Sequence, residues 1–383
     1  MAGLIVHEWV AKAGGSENVV QEFATQFPDS DLQVLWSDDP DRFSLRTFDT
    51  WLARTPLRRS KALALPFLPF TWRTLTSHAD YEWMLVSSHL FAHHVKPRNL
   101  GSGTPKLVYT HTPARYIWEP ELDPRGSGIV ARMASQALKP LDRRRAQEAT
   151  SIVANSQFTR QRVQRAWERD ADVIYPPVDT RRIASVEDWA TQLTPIDHGV
   201  LDALPRTFIL GASRFVAYKR LDQAISAGEA ADVPVVLAGS GPDEAALRAR
   251  AETATVPVHF VERPSTELLY ALYQRALVYV FCAIEDFGIM PVEAMAAGTP
   301  VIVSPTGGAA ESVDSVGGGR VIEDDSAAGW RTTVDAACSI DGAQLSARSH
   351  LYSRERFREQ IQEWVTRESG RASDHASESL RRS

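Results

Sequence analysis

The chain has 383 residues, 44% of them apolar and 23% charged, with a net charge of −6 at neutral pH. That length exceeds one typical core and points to two domains of ordinary globular composition, and the acidic balance argues against nucleic acid as a partner. The two cysteines, Cys282 and Cys338, make neither a disulfide framework nor a zinc site, which fits a reduced cytoplasmic setting.

Residues 4–6 form a short apolar run with no basic stretch before it, and read as a first strand rather than a signal peptide. No segment reaches the roughly 18 apolar residues needed to cross a bilayer; attachment to a membrane surface stays open. Gly14, Gly15 and Ser16 come next, then apolar residues at 19, 20, 23 and 27. That spacing is helical, with Ser16 as the expected N-cap. Further strands are expected at 32–35, 84–86, 106–109 and 151–154. Pro176-Pro177 then breaks any helix or ladder, as a hinge between domains would.

The second half alternates more regularly. Strands are expected at 208–210, 235–237, 258–261, 277–281 and 301–303, with helices near 221–230, 244–252, 266–275 and 292–297. Such alternation means a parallel sheet with helices on both faces. The expected layout is a first domain over 1–180, a second over 181–351, a helix at 352–368 returning to the first, and a polar, disordered tail at 369–383. In sheets of this kind, ligands bind beyond the carboxyl ends of the strands, so the residues just after each strand carry the most weight.

One of these segments stands out: Glu285-Asp286-Phe287-Gly288-Ile289-Met290-Pro291-Val292-Glu293. Pro291 suits a first helical turn, which places Glu285 in the loop and Glu293 in the opening turn. Both carboxylates can then face one crevice, with the N–H groups near Phe287, Gly288, Ile289 and Met290 offered to an anion. The plainer reading is a solvated Glu285 and a Glu293 that complements the helix dipole. Upstream, Arg214 and Lys219 follow a strand as a basic loop. By itself such a pair is usually a surface accident. Gly14-Gly15 lets backbone approach a phosphate closely, or simply makes a turn. His111 and His89 also follow strands, where a lone histidine is commonly a structural hydrogen-bonder. Glu17 reads as a first-turn helix acid.

The ordered glutamate segment resembles the E-x7-E motif of retaining glycosyltransferases of family 4. Residues 212–222 resemble that family's strand-to-helix basic loop, residues 236–242 its next strand and turn, and Thr306-Gly307-Gly308 and residues 352–357 two later elements, which extends the resemblance over most of the chain. The resemblance implies an α/β GT-B fold, two facing Rossmann-like, doubly wound parallel-sheet domains with a crevice between them. It implies Arg214 and Lys219 on the donor diphosphate, Glu293 on the ribose, and Glu285 on the transferred sugar. It also places Gly14 and Gly15 near the donor phosphates. In the mannosyltransferase-like branch, the match around His111 puts this histidine near the donor sugar. The implied substrates are a nucleoside-diphosphate sugar, GDP-mannose first, and a saccharide or lipid-linked acceptor, with no separate cofactor. An epimerase of the same fold and an inactive nucleotide-sugar binder are the rivals.

Two Asp-x-Asp triplets, at 29–31 and 170–172, precede strands and so lie at the wrong edge for a donor site; solvated loops are expected. No His, Cys and carboxylate spacing suggests a metal site. Residues 50–79 hold Arg54, Arg58, Arg59, Lys61 and Arg73, no acid, and Trp51, Phe67, Phe70 and Trp72. That mixture suits an anionic membrane surface, such as the inner face of a plasma membrane. It equally suits a helical hairpin with core aromatics and solvated cations.

Overall fold

The structure is a computed structural model. It describes the backbone of every residue except 1, 13, 102, 120–128 and 383, and side chains except at those positions and at 129–134 and 373–382. The chain divides into two compact units: Met1–Pro177 with Glu355–Ser383, and Val178–Arg354. The chain's two passages between the units run side by side, with Val178 bridging to Ser353 and the Val178 N–H donating to the Tyr352 carbonyl at 2.9 Å.

The first unit is built on seven parallel strands: β1 Gly3–His7, β2 Asp31–Val34, β3 Arg46–Asp49, β4 Trp83–Ser88, β5 Lys106–Thr110, β6 Ser151–Ala154 and β7 Asp172–Val173. Their spatial order is β3-β2-β1-β4-β5-β6-β7. Side chains alternate across the sheet, so β4 sends Met84 and Val86 into one apolar layer and Trp83 and Leu85 into the other. Central strands buried on both faces read as continuous apolar runs, which is why they are visible in the sequence. β3 and β7 are not: β3 is a polar edge strand with exposed ends, and β7 has two residues.

The second unit carries β8 Ile209–Ala212, β9 Val235–Gly239, β10 Val258–Glu262, β11 Val278–Phe281, β12 Val301–Val303 and β13 Gly319–Val321, in the order β10-β9-β8-β11-β12-β13. All recorded pairings are parallel. The short edge strand β13, Gly-Arg-Val, has too few apolar residues to announce itself.

Two local expectations need correction. The helix Gly15–Gln26 is capped by Gly14, not Ser16, whose hydroxyl instead donates to Glu17 at 2.9 Å. The last helix runs Arg354–Arg382, through the segment expected to be disordered. Phe357, Ile361, Trp364 and Val365 recur at helical spacing and enter the core of the first unit, and Trp364 Nε1 donates to Ser151 Oγ at 2.9 Å. Once that stretch is nucleated by packing, extension requires only propagation, which is far easier than nucleation.

A buried carboxylate ties several elements of the first unit together. Asp142, in the helix Ile129–Ala146, accepts from Trp118 Nε1 at 2.8 Å, Trp167 Nε1 at 2.7 Å and His94 Nε2 at 2.9 Å, with His93 Nε2 at 3.1 Å. Burial alone would raise its pKa, but the imidazoles beside it more than offset that and hold it well below the usual carboxylate range. Asp142→Ala strands these buried donors and should lower the stability of the first unit by about 3 kcal/mol or more. Urea unfolding followed by amide exchange should show the first unit's protection falling while β8–β13 keep theirs; equal protection in both units would contradict a hub role.

Candidate active site

In the second unit, the strand order reverses between β8 and β11. Chain after β8 crosses to β9 and β10 on one side, and chain after β11 to β12 and β13 on the other. The loops leaving the carboxyl ends of β8 and β11 therefore diverge and leave a crevice, where ligands of such sheets bind. Those two loops carry Arg214 and Lys219, and Glu285 and Glu293.

The β8 loop is held by backbone. Phe215 N–H donates to Ser240 O at 2.9 Å and Asp243 N–H to Phe215 O at 2.9 Å. The turn after β9 lies so close that a Cβ on Gly241 would sit 2.3 Å from Phe215 O, and Gly239 has a φ of +144°. Only glycine fits there. Lys219 ends the 3-10 turn Ala217–Lys219, and Arg220 follows at a φ of 50°. The Lys219 ammonium is buried between the rings of Tyr218 and Phe281, 5.4 Å from each centroid, a cation–π setting. It forms an ion pair with Glu285 directly across the strand reversal. Arg214 is exposed and donates from Nη2 to Tyr218 OH at 2.9 Å.

The β11 loop is pinned from the other side by Thr306-Gly307-Gly308. Gly308 N–H donates to Glu285 O at 2.8 Å, and a Cβ on Gly308 would lie 2.1 Å from Asp286 O. Phe287 is buried and packs against the Tyr352 ring, centroids 5.5 Å apart. Gly288, at a φ of 95°, caps the helix Ile289–Ala296, and no side chain caps this end. The first-turn amides, from Ile289 and Met290 onward, are thus left to water or an anion. Tyr279 OH donates to Ala212 O at 2.7 Å and lies 3.8 Å from Met290 Sδ, which ties β8, β11 and this helix together.

Because the helix begins at Ile289, Glu293 stands one turn in, not in the opening turn, too deep for a simple dipole-complementing acid. Its carboxylate has no hydrogen-bond partner among the described residues. Burial, with Asp179 adding like charge, raises its pKa to about 7. Burial keeps the nearby Tyr279 phenol protonated, and Glu293 and Glu285 both reinforce this, so both carboxylates act on the same end of β11.

The first unit has its own reversal, between β1 and β4. His7 ends β1, and its Nδ1 lies 3.0 Å from Ser87 Oγ and 3.4 Å from Ser87 O. Since a carbonyl only accepts, His7 carries its proton on Nδ1. Ser87 Oγ–H then donates to His111 Nε2, 2.8 Å away, and His111 keeps an Nδ1–H. Burial, with His89 and His7 nearby, holds His111 well below the usual histidine range, and burial brings His7 down to about 4. The Glu8 carboxylate accepts from the N–H groups of His89 at 3.4 Å, Leu90 at 2.9 Å and Ala92 at 2.8 Å. His89 Nδ1 lies 3.3 Å from it. Glu17 is buried rather than a solvated helix acid, accepting from Ala11 N–H at 3.1 Å beneath Gly14. A Cβ on Gly14 would lie 2.1 Å from Glu17 Oε2, so here glycine is needed for space. Gly15 opens the helix.

Sequence spacing gave no sign of this network, since His7, Ser87 and His111 are brought together only by β1, β4 and β5. The same holds for the two groups that place metal-ligand atoms close together: His7, Glu8 and His89, and His93, His94 and Asp142. In both, the carboxylate is already committed to N–H donors. The Asp-x-Asp triplets lie at the amino edges of β2 and β7, as expected, but are not merely solvated. Buried Asp31 takes a bidentate contact from Arg46 at 2.9 and 2.6 Å and a bond from Tyr81, and Asp170 takes one from Arg160 at 2.9 and 3.1 Å.

These geometries agree with the chain's relatives. Residues 13–182 match the family model described as Glycosyltransferase Family 4, and residues 200–363 match that of Glycosyl transferases group 1. A D-inositol 3-phosphate glycosyltransferase of Mycobacterium sp. (strain JLS) is 26% identical over 52% of this chain and 47% of its own length. The D-rhamnosyltransferase WbpZ of Pseudomonas aeruginosa is 34% identical over 35% of this chain and 32% of its own. The chain thus spans about half or less of the length of the curated relatives it matches. Among solved structures, Anabaena HepE in complex with UDP superposes with a TM-score of 0.69 at 16% identity, over 96% of this chain and 100% of that one. Sucrose-phosphate synthase from Thermosynechococcus elongatus gives 0.65 at 18%, over 96% and 98%. The likeness in structure shows a shared GT-B fold, and the two family models, which between them account for most of the sequence, show that the chain belongs to the group 1, family 4 glycosyltransferases.

Proposed function

We propose that the protein transfers a hexose from a nucleoside-diphosphate sugar to a saccharide or lipid-linked acceptor with retention of configuration. The observation that carries this reading is the buried Lys219 ammonium joined to Glu285 across the β8/β11 reversal. It sets a diphosphate-binding cation beside a carboxylate suited to a cationic sugar centre. Arg214, Lys219 and the amides at Ile289 and Met290 take the diphosphate, and Glu293 accepts the ribose hydroxyls. Glu285 steadies positive charge on the transferred sugar. The bond from the anomeric carbon to the diphosphate breaks as the acceptor oxygen bonds on the same face. The acceptor proton passes to the departing diphosphate oxygen, whose charge the cations and amides stabilise. In the first unit, the neutral His111 offers Nδ1–H to a sugar hydroxyl. GDP-mannose is the donor favoured by the sequence around His111. The UDP-glucose complex of Anabaena HepE makes UDP-glucose the first comparison. A donor-hydrolysis screen read by nucleoside diphosphate release decides between them.

Variants separate the roles. Lys219→Ala and Arg214→Ala should each weaken the nucleoside diphosphate by about 1.5–3 kcal/mol, roughly 10- to 150-fold, with a larger loss of turnover. Glu285→Gln should abolish most transfer yet bind the bare diphosphate as well as wild type or better, because Lys219 is released. Glu293→Gln should weaken the nucleotide while stabilising the free protein. A carboxyl whose folded pKa is raised favours the fold below its unfolded pKa, near 4.5, and loses that advantage as pH rises through about 7. The stabilisation should therefore be about 1–2 kcal/mol at pH 8 and vanish near pH 4.5. Calorimetry and pH-dependent melting read both; Glu285→Gln binding as poorly as Glu293→Gln would reverse the assignment.

Cations and helix amides do the work of a metal in this scheme, so transfer should persist in EDTA. Loss of activity with rescue by Mg²⁺ or Mn²⁺ would overturn it.

The reading extends to an anionic membrane surface. Residues 50–79 form short turns and helices in which Trp72 is core, while Leu63 and Phe70 are each 64% exposed and Trp51 and Phe67 are also exposed. Arg58 and Arg73 are engaged by Asp38 and Glu148, and the Lys61 ammonium lies 4.1 Å from the centroid of the Trp9 ring, so Arg54 and Arg59 are the cations left for lipid, about 1 kcal/mol each at an anionic surface. No helix among the described residues is long and apolar enough to cross a membrane. Wild type should sediment with phosphatidylserine vesicles at low salt, and Arg59→Glu with Phe70→Ser should not; equal sedimentation of both would remove the membrane from the proposal.

A further inference from the structure

At the amino ends of β4 and β5, the edge of the first sheet opposite His7, Ser87 and His111, lies a cavity of about 490 Å³. That volume lies within the usual range for small-molecule sites, about 300–1,000 Å³. Its lining includes Arg73, Lys96, Arg98, Lys106, Glu148 and Thr150, four cations against one acid. The acid is already taken: Glu148 accepts from Arg73 Nη1 at 2.6 Å and Arg145 Nη1 at 2.7 Å.

Lys106 is the anomaly. Its side chain is buried, its Nζ has no hydrogen-bond partner, and its nearest carboxylate oxygen, on Glu148, is 3.8 Å away. A buried ammonium is normally paired and hydrogen-bonded because its desolvation is otherwise uncompensated. Lys106 thus lines a polar cavity with its Nζ paired to Glu148 by charge alone and its N–H donors without an acceptor. Lys96 and Arg98 are exposed at its rim, with no partner for either side chain among the described residues. The recorded bonds of Arg73 use Nη1 alone, which leaves Nη2 and Nε. Met84, Val95 and Leu100 add apolar wall, so the space suits an anionic head with a small organic remainder.

We propose that this cavity is a second ligand site, in which Lys106 and Arg73 bind a phosphate monoester and Lys96 and Arg98 close over it, remote from the sugar-transfer edge. The ligand is a phosphorylated metabolite of sugar-phosphate size or the headgroup of a phosphomonoester lipid, which share that chemistry. Burial lowers the Lys106 pKa to about 7; Glu148 opposes this, while Arg73, Lys96 and Arg145 reinforce it. A bound phosphate adds the missing counter-charge, so binding near pH 8 should take up a proton at Lys106.

The test uses the full chain carrying Lys219→Ala, which weakens the donor site so that failure of the transferase reading leaves this result intact. Glucose 6-phosphate is titrated calorimetrically at pH 8 in two buffers of different ionisation enthalpy, and phosphatidic acid vesicles are tested in parallel. Expected is saturable binding of one of the two with proton uptake, weakened about tenfold or more by Lys96→Glu with Arg98→Glu. Lys106→Met should keep the fold, melt no lower than its parent, and lose both binding and proton uptake. Tighter binding of glucose 6-phosphate than of the vesicles marks a soluble metabolite, and the reverse marks a lipid headgroup. Failure of both probes to bind, or binding unchanged in the rim and Lys106 variants, overturns the proposal.

Discussion

Parallel strands impose one constraint on everything else in this molecule. A parallel sheet needs crossovers on its faces, so every strand in a unit points the same way and every strand-to-helix loop emerges on one edge. Chemistry therefore gathers on that edge, and the order of the strands decides where. In the second unit, the reversal between β8 and β11 puts Lys219 and Glu285 side by side although 66 positions separate them. In the first, the reversal between β1 and β4 does the same for His7 and Ser87. The opposite edge has different contents: ion pairs at Asp31 and Asp170, and the basic cavity below β4 and β5.

Precision within the loops comes from backbone packed on backbone. Gly241 against Phe215, and Gly308 against Asp286, leave no room for a methyl group. The two loops bearing the charged residues are thus set by main-chain hydrogen bonds to their neighbours rather than by their own side chains. Glu293 shows the cost of such readiness. A carboxylate partly desolvated without a donor destabilises the empty protein, and a ligand hydroxyl is the group that relieves it. Sites held ready in this way commonly trade stability for function.

The sequence shows a good deal of this. Continuous apolar runs identified the central strands because those strands are buried on both faces. The segment from Glu285 to Glu293 stood out because proline, glycine and two acids are ordered around one strand-to-helix turn. What escaped was decided by contacts between distant segments. β3, β7 and β13 are short or polar edge strands with little apolar signal. The start of the helix at Ile289 depends on a left-handed Gly288, and moves Glu293 a turn inward. The chain of hydrogen bonds through His7, Ser87 and His111 needs three strands in register before it exists. The polar tail looked disordered by composition, while its helix is inherited from Phe357, Ile361, Trp364 and Val365 just before it.

Those four residues also govern the order of assembly. They fill the core of the first unit, yet they are translated after the whole of the second. On a ribosome, chains ordinarily fold their leading domain first. Here the leading domain emerges with Phe23, Tyr109 and Trp83 lacking their final cover, and must wait for nearly 180 further residues. The second unit, continuous from Val178 to Arg354, can close by itself in the meantime. During synthesis the nascent first sheet therefore exposes an apolar face, and the emergence of Phe357, Ile361, Trp364 and Val365 is the event that covers it.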